Sequence, residues 1–174
     1  GDRGVHYPKA EHIETKGFCL FLSAKNITKR GFKLEDCRFI SKERDNLLRK
    51  GKLSLYDIVI TTRGSVGNIA LYDKSIPYND IRLNSGMVIL RDIKNSFDKH
   101  FLLFLLKSSF VGKQIKLITS GSAQPQLTIK GLSKLIFLLP PLPEQAKIAR
   151  ILSTVDRKIE AIGAQIEQAR VLKK

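Results

Sequence analysis

The chain has 174 residues and a formal net charge of +15, from 31 lysines and arginines against 16 aspartates and glutamates. Its length suits one domain, or one domain with an appendage. The charge predicts a polyanionic partner, although a ribosomal or membrane-surface protein can be equally basic. Two cysteines, a polar start and the lack of a bilayer-length apolar run argue against the secreted disulfide-rich and membrane-spanning classes and favour a cytoplasmic protein.

The first third of the chain predicts one strand, a basic turn and a short helix. Residues 18–22 form an apolar run that is typical of a buried strand, and residues 26–33 form a turn region rich in lysine and arginine. Residues 41–50 predict a helix, with Ser41 as its N-cap and Gly51 as its end.

The middle of the chain predicts three short strands, at 57–61, 68–72 and 85–91, each bounded by turn residues. Helices follow at 98–108 and 110–118, then a polar loop at 120–126, a turn or short helix at 127–135 and a last strand at 136–139. These elements predict an α/β (α+β) fold, with a small curved mixed sheet, flanking helices and one long C-terminal coiled-coil helix.

A proline-rich boundary begins that last helix. Residues 140–143 read PPLP, which neither a strand nor a helix interior accommodates, whereas Pro143 suits the first turn of a helix and Glu144 its positive end. Apolar residues then recur at alternating steps of four and three, a heptad repeat that favours pairing with another helix over folding back on the chain's own domain. The predicted pairing stripe comprises Ile148, Leu152, Val155, Ile159, Ile162 and Ile166, and it ends at Ala169.

Three segments carry a resemblance to a known family. Residues 138–145 (LLPPLPEQ), with the helix that follows to about residue 159, resemble the start of the spacer helix in the specificity subunits of Type I restriction–modification systems. Residues 120–127 (SGSAQPQL) resemble the family's polar loop, and residues 62–68 (TRGSVGN) with 82–86 (RLNSG) resemble its central motif. The proline–helix motif is specific, whereas the glycine-rich turn alone is weak.

The resemblance implies a DNA target-recognition domain at residues 1–139 and a spacer helix at 140–174 that pairs with a second copy or with the other half of the same subunit. The implied partners are double-stranded DNA, a methyltransferase subunit and an ATP-dependent motor and nuclease subunit. The chain itself is then a non-catalytic specificity subunit that needs no cofactor. Members of the family usually carry two recognition domains and two spacer helices, and this sequence has one of each.

Polar and basic residues near the predicted turns are the candidate DNA contacts. Lysine and arginine suit phosphates, and glutamine and asparagine can read base edges, although each could equally be a solvated or turn-forming residue. The candidates are Lys25, Lys29, Arg30, Arg63, Ser65, Asn68, Arg82, Asn84, Ser122, Gln124 and Gln126.

Catalytic and metal-binding motifs are not evident in the sequence. Residues 63–67 read RGSVG, so Arg63 stands where a G-x-S-x-G nucleophile elbow has its first glycine. The three histidines lack metal-ligand spacing. Two alternatives stay open. A nuclease or a fragment of a single-chain restriction–methylation enzyme could use Glu14 and Lys16 with Asp2, and a basic RNA-binding protein would have the same charge.

Overall fold

The computed structural model describes residues 4–119 and 124–172 of the chain. Strands and helices alternate in short pieces before one long helix. The strands are β1 (Cys19–Leu22), β2 (Ile27–Thr28), β3 (Gly31–Phe32), β4 (Phe39–Ile40), β5 (Ile58–Thr61), β6 (Ile69–Leu71), β7 (Ile81–Leu83) and β8 (Met87–Leu90). The helices are α1 (Lys42–Leu47), α2 (Lys99–Lys107), α3 (Ser109–Thr119), α4 (Ile129–Leu132) and α5 (Leu142–Val171).

The strands described here form three small sheets. The first has the order β4-β1-β7, with β1 parallel to β7 and antiparallel to β4. The second is the β2–β3 hairpin, which occupies the predicted basic turn, and the third is antiparallel with the order β6-β5-β8. The predicted mixed α/β class is therefore confirmed, with its strands divided among small sheets.

Strand β5 lies at the centre of the fold because both of its faces are buried. Side chains alternate across a strand. Val59 accordingly packs into the apolar cluster built by β1 and β7, whereas Ile58 and Ile60 pack against helices α2 and α3 on the opposite face. All three side chains are at most 1% exposed. The turn that follows β5 and the turn that precedes β8 are thus attached to the buried core of the domain.

The predicted strand at 136–139 is wrong. Residues 135–141 have no regular structure, and Ile136 and Leu138 are 75% and 91% exposed. The Gln114 side chain of α3 takes the place of a neighbouring strand: its Nε2 donates to the Ile136 carbonyl at 2.8 Å and its Oε1 accepts from the Ile136 amide at 2.9 Å. The backbone groups of Ile136 are thus satisfied by one side chain and not by a neighbouring strand.

Helix α5 begins at Leu142, as its proline-rich start predicts, and its 30 residues span about 45 Å. Only its first turns pack on the domain. Gln145 and Ala149 are buried against the region of α2, whereas the apolar residues from Leu152 onward are exposed. Among the described residues, no helix combines the length and apolar character that crossing a membrane requires.

Gln145 fastens α5 to the domain. Its side chain is buried, accepts from the Asp98 amide at 2.9 Å and donates to the carbonyls of Pro140 and Ser96 at 2.8 and 3.2 Å. We expect Gln145→Leu to lower the free energy of unfolding by about 2 kcal/mol, since the Asp98 amide and the Pro140 and Ser96 carbonyls lose their partner at a buried contact. Urea unfolding of both proteins measures this. Gln168→Leu, at an exposed position on the same helix, is the matched control, and equal losses in the two variants would contradict this role.

Candidate nucleic-acid interface

Three loops converge at one end of the central strands and are tied together through their backbones. The Thr62 amide donates to the Gly86 carbonyl at 2.7 Å, and the Leu127 amide donates to the Thr62 carbonyl at 3.0 Å. Leu127 is 1% exposed, so its side chain anchors the third loop in the core. These ties connect the turn after β5, the turn between β7 and β8, and the segment before α4.

The three loops enclose a cleft of about 310 Å³ that brings together predicted DNA contacts from distant parts of the sequence. Arg63, Asn84 and Gln126 all line it. Arg63 and Gln126 are exposed, and Asn84 is half-buried. Tyr7 and Thr128 add a phenol and a hydroxyl to the lining. The cleft therefore presents hydrogen-bond donors and acceptors of several kinds on a fixed backbone.

Glycines shape the turn at residues 62–68. Gly64 and Gly67 have φ angles of +69° and +85°, which side chains rarely adopt. A Cβ at Gly67 would also lie 3.6 Å from Ile115, so the turn packs closely on α3. Arg63 and Ser65 are consequently held at the surface, where both are exposed.

Asn68, at the end of the same turn, connects it to the basic hairpin. Its side-chain Nδ2 donates to the Ile27 carbonyl of β2 at 2.9 Å, and its backbone N–H donates to the Thr61 hydroxyl at 2.9 Å. A side-chain donor of Asn68 is therefore used inside the protein. In this structure Asn68 positions the turn against the hairpin.

The β2–β3 hairpin and the residues around it form a basic surface. Lys29 and Arg30 stand at the hairpin tip and Lys25 just before the hairpin, and all three are exposed. Lys25 also lines a second cleft with Lys33 and Arg38. Because Asn68 joins the hairpin to the turn that carries Arg63, the basic surface and the polar cleft are neighbours. Arg38 was not among the predicted DNA contacts, because nothing in the sequence sets it apart from other arginines.

Arg82 does not belong to this interface, contrary to the sequence-based prediction. It is 4% exposed, and its Nε lies 2.7 Å from the Asp45 carboxylate, with further hydrogen bonds to the Asp45 and Lys50 carbonyls. The burial of Asp45 alone would raise the pKa of its carboxyl group. Hydrogen bonds from Lys52 and Arg82 outweigh burial and lower that pKa. Arg82 therefore holds β7 to helix α1.

Two further candidates lie in the polar loop before α4. Gln124 is exposed, at the edge of the described residues, and Ser122 lies outside them. Tyr7 was not anticipated, since its contact with Asn84 joins positions 77 apart in the sequence. The sequence carries no local signal for such a pairing.

The predicted pairing stripe of α5 faces outward over most of its length. Ile148 is half-buried against the domain. Leu152, Val155, Ile159, Ile162 and Ile166 are 38%, 47%, 61%, 55% and 49% exposed. Apolar side chains this exposed at heptad spacing are typical of a helix that pairs with another helix.

Reactive groups are sparse in the described part of the chain. No group of three or more His, Cys, Asp or Glu residues there could hold a metal ion. Burial, followed by the nearby Asp45 carboxylate, raises the pKa of the Cys19 thiol to about 12, which suits a core residue and not a nucleophile. Glu14 pairs through its backbone with Phe39, and Asp2 lies outside the described residues.

Comparison with known proteins places the chain in a family. The profile of the Type I restriction modification DNA specificity domain matches residues 5–170. The chain belongs to this family. Membership in a DNA-specificity family agrees with the expectation of a non-catalytic recognition chain.

Similar proteins are longer than this chain. A putative type I restriction enzyme MjaX specificity subunit of Methanocaldococcus jannaschii is 34% identical over 154 residues, which cover 86% of this chain and 34% of that protein. The MjaVIII specificity subunit of the same organism is 36% identical over 68% of this chain and 26% of its own length. A putative specificity subunit of Mycoplasma pneumoniae is 32% identical over 67% of this chain and 39% of its own length. The chain thus spans about a third of the length of these relatives.

Solved structures share the fold. A chain from a type I restriction–modification system, solved in a study of complex assembly and conformational transition, superposes with a TM-score of 0.68 at 21% identity, over 95% of this chain and 38% of that one. The HsdS subunit from Thermoanaerobacter tengcongensis gives 0.64 at 17% identity, over 83% of this chain and 37% of that one.

Proposed function

We propose that this chain reads one half of a bipartite target in double-stranded DNA, as the recognition part of a Type I specificity subunit. The main support for this proposal is the cleft lined by Arg63, Asn84 and Gln126. Its polar side chains come from three loops whose backbones are hydrogen-bonded to one another. Base edges are read by such side chains. The neighbouring basic surface supplies exposed cations for phosphates, which position a protein on DNA without specifying sequence.

The chain divides into a recognition domain at residues 1–139 and a spacer helix at 140–174. The contacts of Gln145 and Ala149 support a stiff connection, since they hold the first turns of α5 against the domain. A rigid helix of about 45 Å exceeds the roughly 34 Å of one DNA turn. Paired with a second helix, α5 would separate two recognition domains along the duplex.

The exposed stripe of α5 pairs either with a second copy of this chain or with the other half of a longer subunit. Self-association would have two-fold symmetry and would imply a palindromic bipartite target. Methylation and cleavage would belong to a methyltransferase subunit and to a motor and nuclease subunit that dock on the specificity subunit.

The decisive test is a methylation map. The chain is expressed with the methyltransferase subunit encoded beside it, and the plasmid is sequenced by a method that detects modified adenine. We expect a bipartite adenine motif that is absent without the chain, and a palindromic motif if the chain acts as a dimer. A soluble complex that modifies no motif, both with this chain and with the full-length gene, would contradict the proposal.

Two variants separate base reading from phosphate binding in the same map. Gln126→Ala is expected to relax the motif at one position while methylation continues. The double variant Lys29→Ser, Arg30→Ser is expected to lower methylation at all sites and leave the motif unchanged.

The alternatives predict different results. A nuclease would cleave DNA with Mg²⁺ in the absence of other subunits and would lose that activity with Glu14→Ala. An RNA-binding protein would bind RNA more tightly than duplex DNA at matched salt.

A further inference from the structure

Asn84 is oriented by Tyr7 so that one side of its amide is used inside the protein. The Tyr7 hydroxyl donates to Asn84 Oδ1, and the Ser85 amide donates to the same oxygen. The same Ser85 backbone N–H is shared with the Tyr7 hydroxyl oxygen, at 3.1 Å, so the three residues form one network. A carbonyl oxygen accepts about two hydrogen bonds, so Oδ1 is saturated.

The network is held in place from both sides. The Tyr7 ring packs edge-on against Phe21, with ring centroids 6.1 Å apart, and Phe21 is 3% exposed. The backbone N–H of Asn84 donates to the Leu22 carbonyl of β1 at 2.7 Å. Both partners are therefore fixed by the first sheet, and the orientation of the Asn84 side chain follows from the fold.

The other side of the Asn84 amide is available to a ligand. Within residues 4–119 and 124–172, no acceptor for Asn84 Nδ2 is found, and Asn84 lines the cleft with Arg63 and Gln126. The cleft thus receives hydrogen-bond donors from Asn84. The usual pairing of asparagine with adenine needs the amide oxygen and nitrogen together, and the saturated oxygen excludes it here.

We propose that Asn84 reads a base through its donors alone and selects a guanine edge, with Tyr7 as its positioning residue. Guanine presents two acceptors, N7 and O6, in the major groove, and thymine presents one, O4, beside its methyl group, whereas adenine and cytosine each present an amino donor that would oppose the Asn84 side-chain NH2. The inference rests on the proposed function of the cleft and adds the chemical class of the base that it recognises.

The test is selection of duplexes from a randomised library by the full chain, followed by sequencing of the bound fraction. Asn84→Asp replaces the donor with an acceptor of the same shape, while its other oxygen still accepts from Tyr7 and Ser85. We expect a G·C pair at one position in the wild-type motif and a C·G pair there in the variant, a change in preference of roughly fivefold or more. Tyr7→Phe frees Oδ1 and is expected to admit adenine at that position, with the rest of the motif unchanged.

Controls distinguish a failure of this inference from a failure of the proposed function. Asn79→Asp makes the same chemical change at an exposed position outside the cleft and is expected to leave every preference unchanged. If Asn84→Asp and Tyr7→Phe weaken binding at all sequences equally, or leave the motif intact, the network is structural only and the inference fails while the proposed function stands. A wild-type chain that selects no sequence overturns the proposed function and the inference together.

Discussion

Asp45→Asn should lower the free energy of unfolding by about 3–5 kcal/mol, because it leaves the Arg82 guanidinium charged in the interior without its carboxylate counter-ion. The Asp45 and Arg82 side chains are 2% and 5% exposed, and their closest atoms lie 2.7 Å apart. Lys52, itself 40% exposed, bonds the same carboxylate at 2.5 Å and also pairs with Asp80, so it retains a partner in the variant. Denaturant unfolding followed by circular dichroism measures the loss.

Two further variants test the reason for this loss. Glu167→Gln removes an exposed ion pair on α5 and should leave stability unchanged within error. The double variant Asp45→Leu, Arg82→Met replaces the buried pair with apolar groups of similar size, and it should recover most of the stability that Asp45→Asn loses. A loss below about 1 kcal/mol in Asp45→Asn would refute the assignment of Arg82 to the interior.

The same pair gives a pH dependence. The pKa of the Asp45 carboxyl group is lowered in the folded protein, because hydrogen bonds from Lys52 and Arg82 outweigh burial. A lowered pKa stabilises the fold at pH values above the ordinary aspartate pKa, and this contribution is lost as the pH falls through the folded-state pKa. The stability difference between wild type and Asp45→Asn should therefore be full at neutral pH and shrink in acid.

Local signals in the sequence predicted local structure well. Ser41 was predicted to cap α1, and its hydroxyl accepts from the Arg44 amide at 3.2 Å. Asp98 stands at the predicted start of α2 and accepts from the amides of His100 and Phe101 at 3.0 and 2.9 Å. Caps and turns depend on residues a few positions apart, so their chemistry is legible in the sequence.

Contacts between residues far apart in the sequence could not be predicted from it. Arg82 resembles an exposed base reader beside a strand, and only its contact with Asp45, 37 positions away, reveals a buried structural role. The apolar run at 136–139 resembles a strand, but the Gln114 side chain of α3 bonds both backbone groups of Ile136, where a neighbouring strand would pair. The cleft is predictable in part: Arg63, Asn84 and Gln126 were identifiable as polar turn residues, whereas their convergence depends on backbone ties between loops.

Replacing Ile159 and Ile162 together by glutamate should abolish pairing through α5. Both side chains lie on the exposed heptad stripe, at 61% and 55% exposure, and burial of each against a partner helix would contribute about 1.5–3 kcal/mol. The loss of both isoleucine side chains, together with the charges placed between the paired helices, should weaken association by at least about 4 kcal/mol, roughly a thousandfold in Kd. Sedimentation equilibrium of the chain measures this directly.

The matched control places the same charges on the other face of the helix. Ala161 and Ala164 are exposed and lie off the stripe, so Ala161→Glu with Ala164→Glu should leave association unchanged. Equal association in both double variants would contradict pairing through the stripe. A wild-type chain that stays monomeric at micromolar concentration with its helix formed would contradict self-association, and the palindromic target inferred from it would then fail as well, because two-fold symmetry in the DNA follows only from two copies of the same reader.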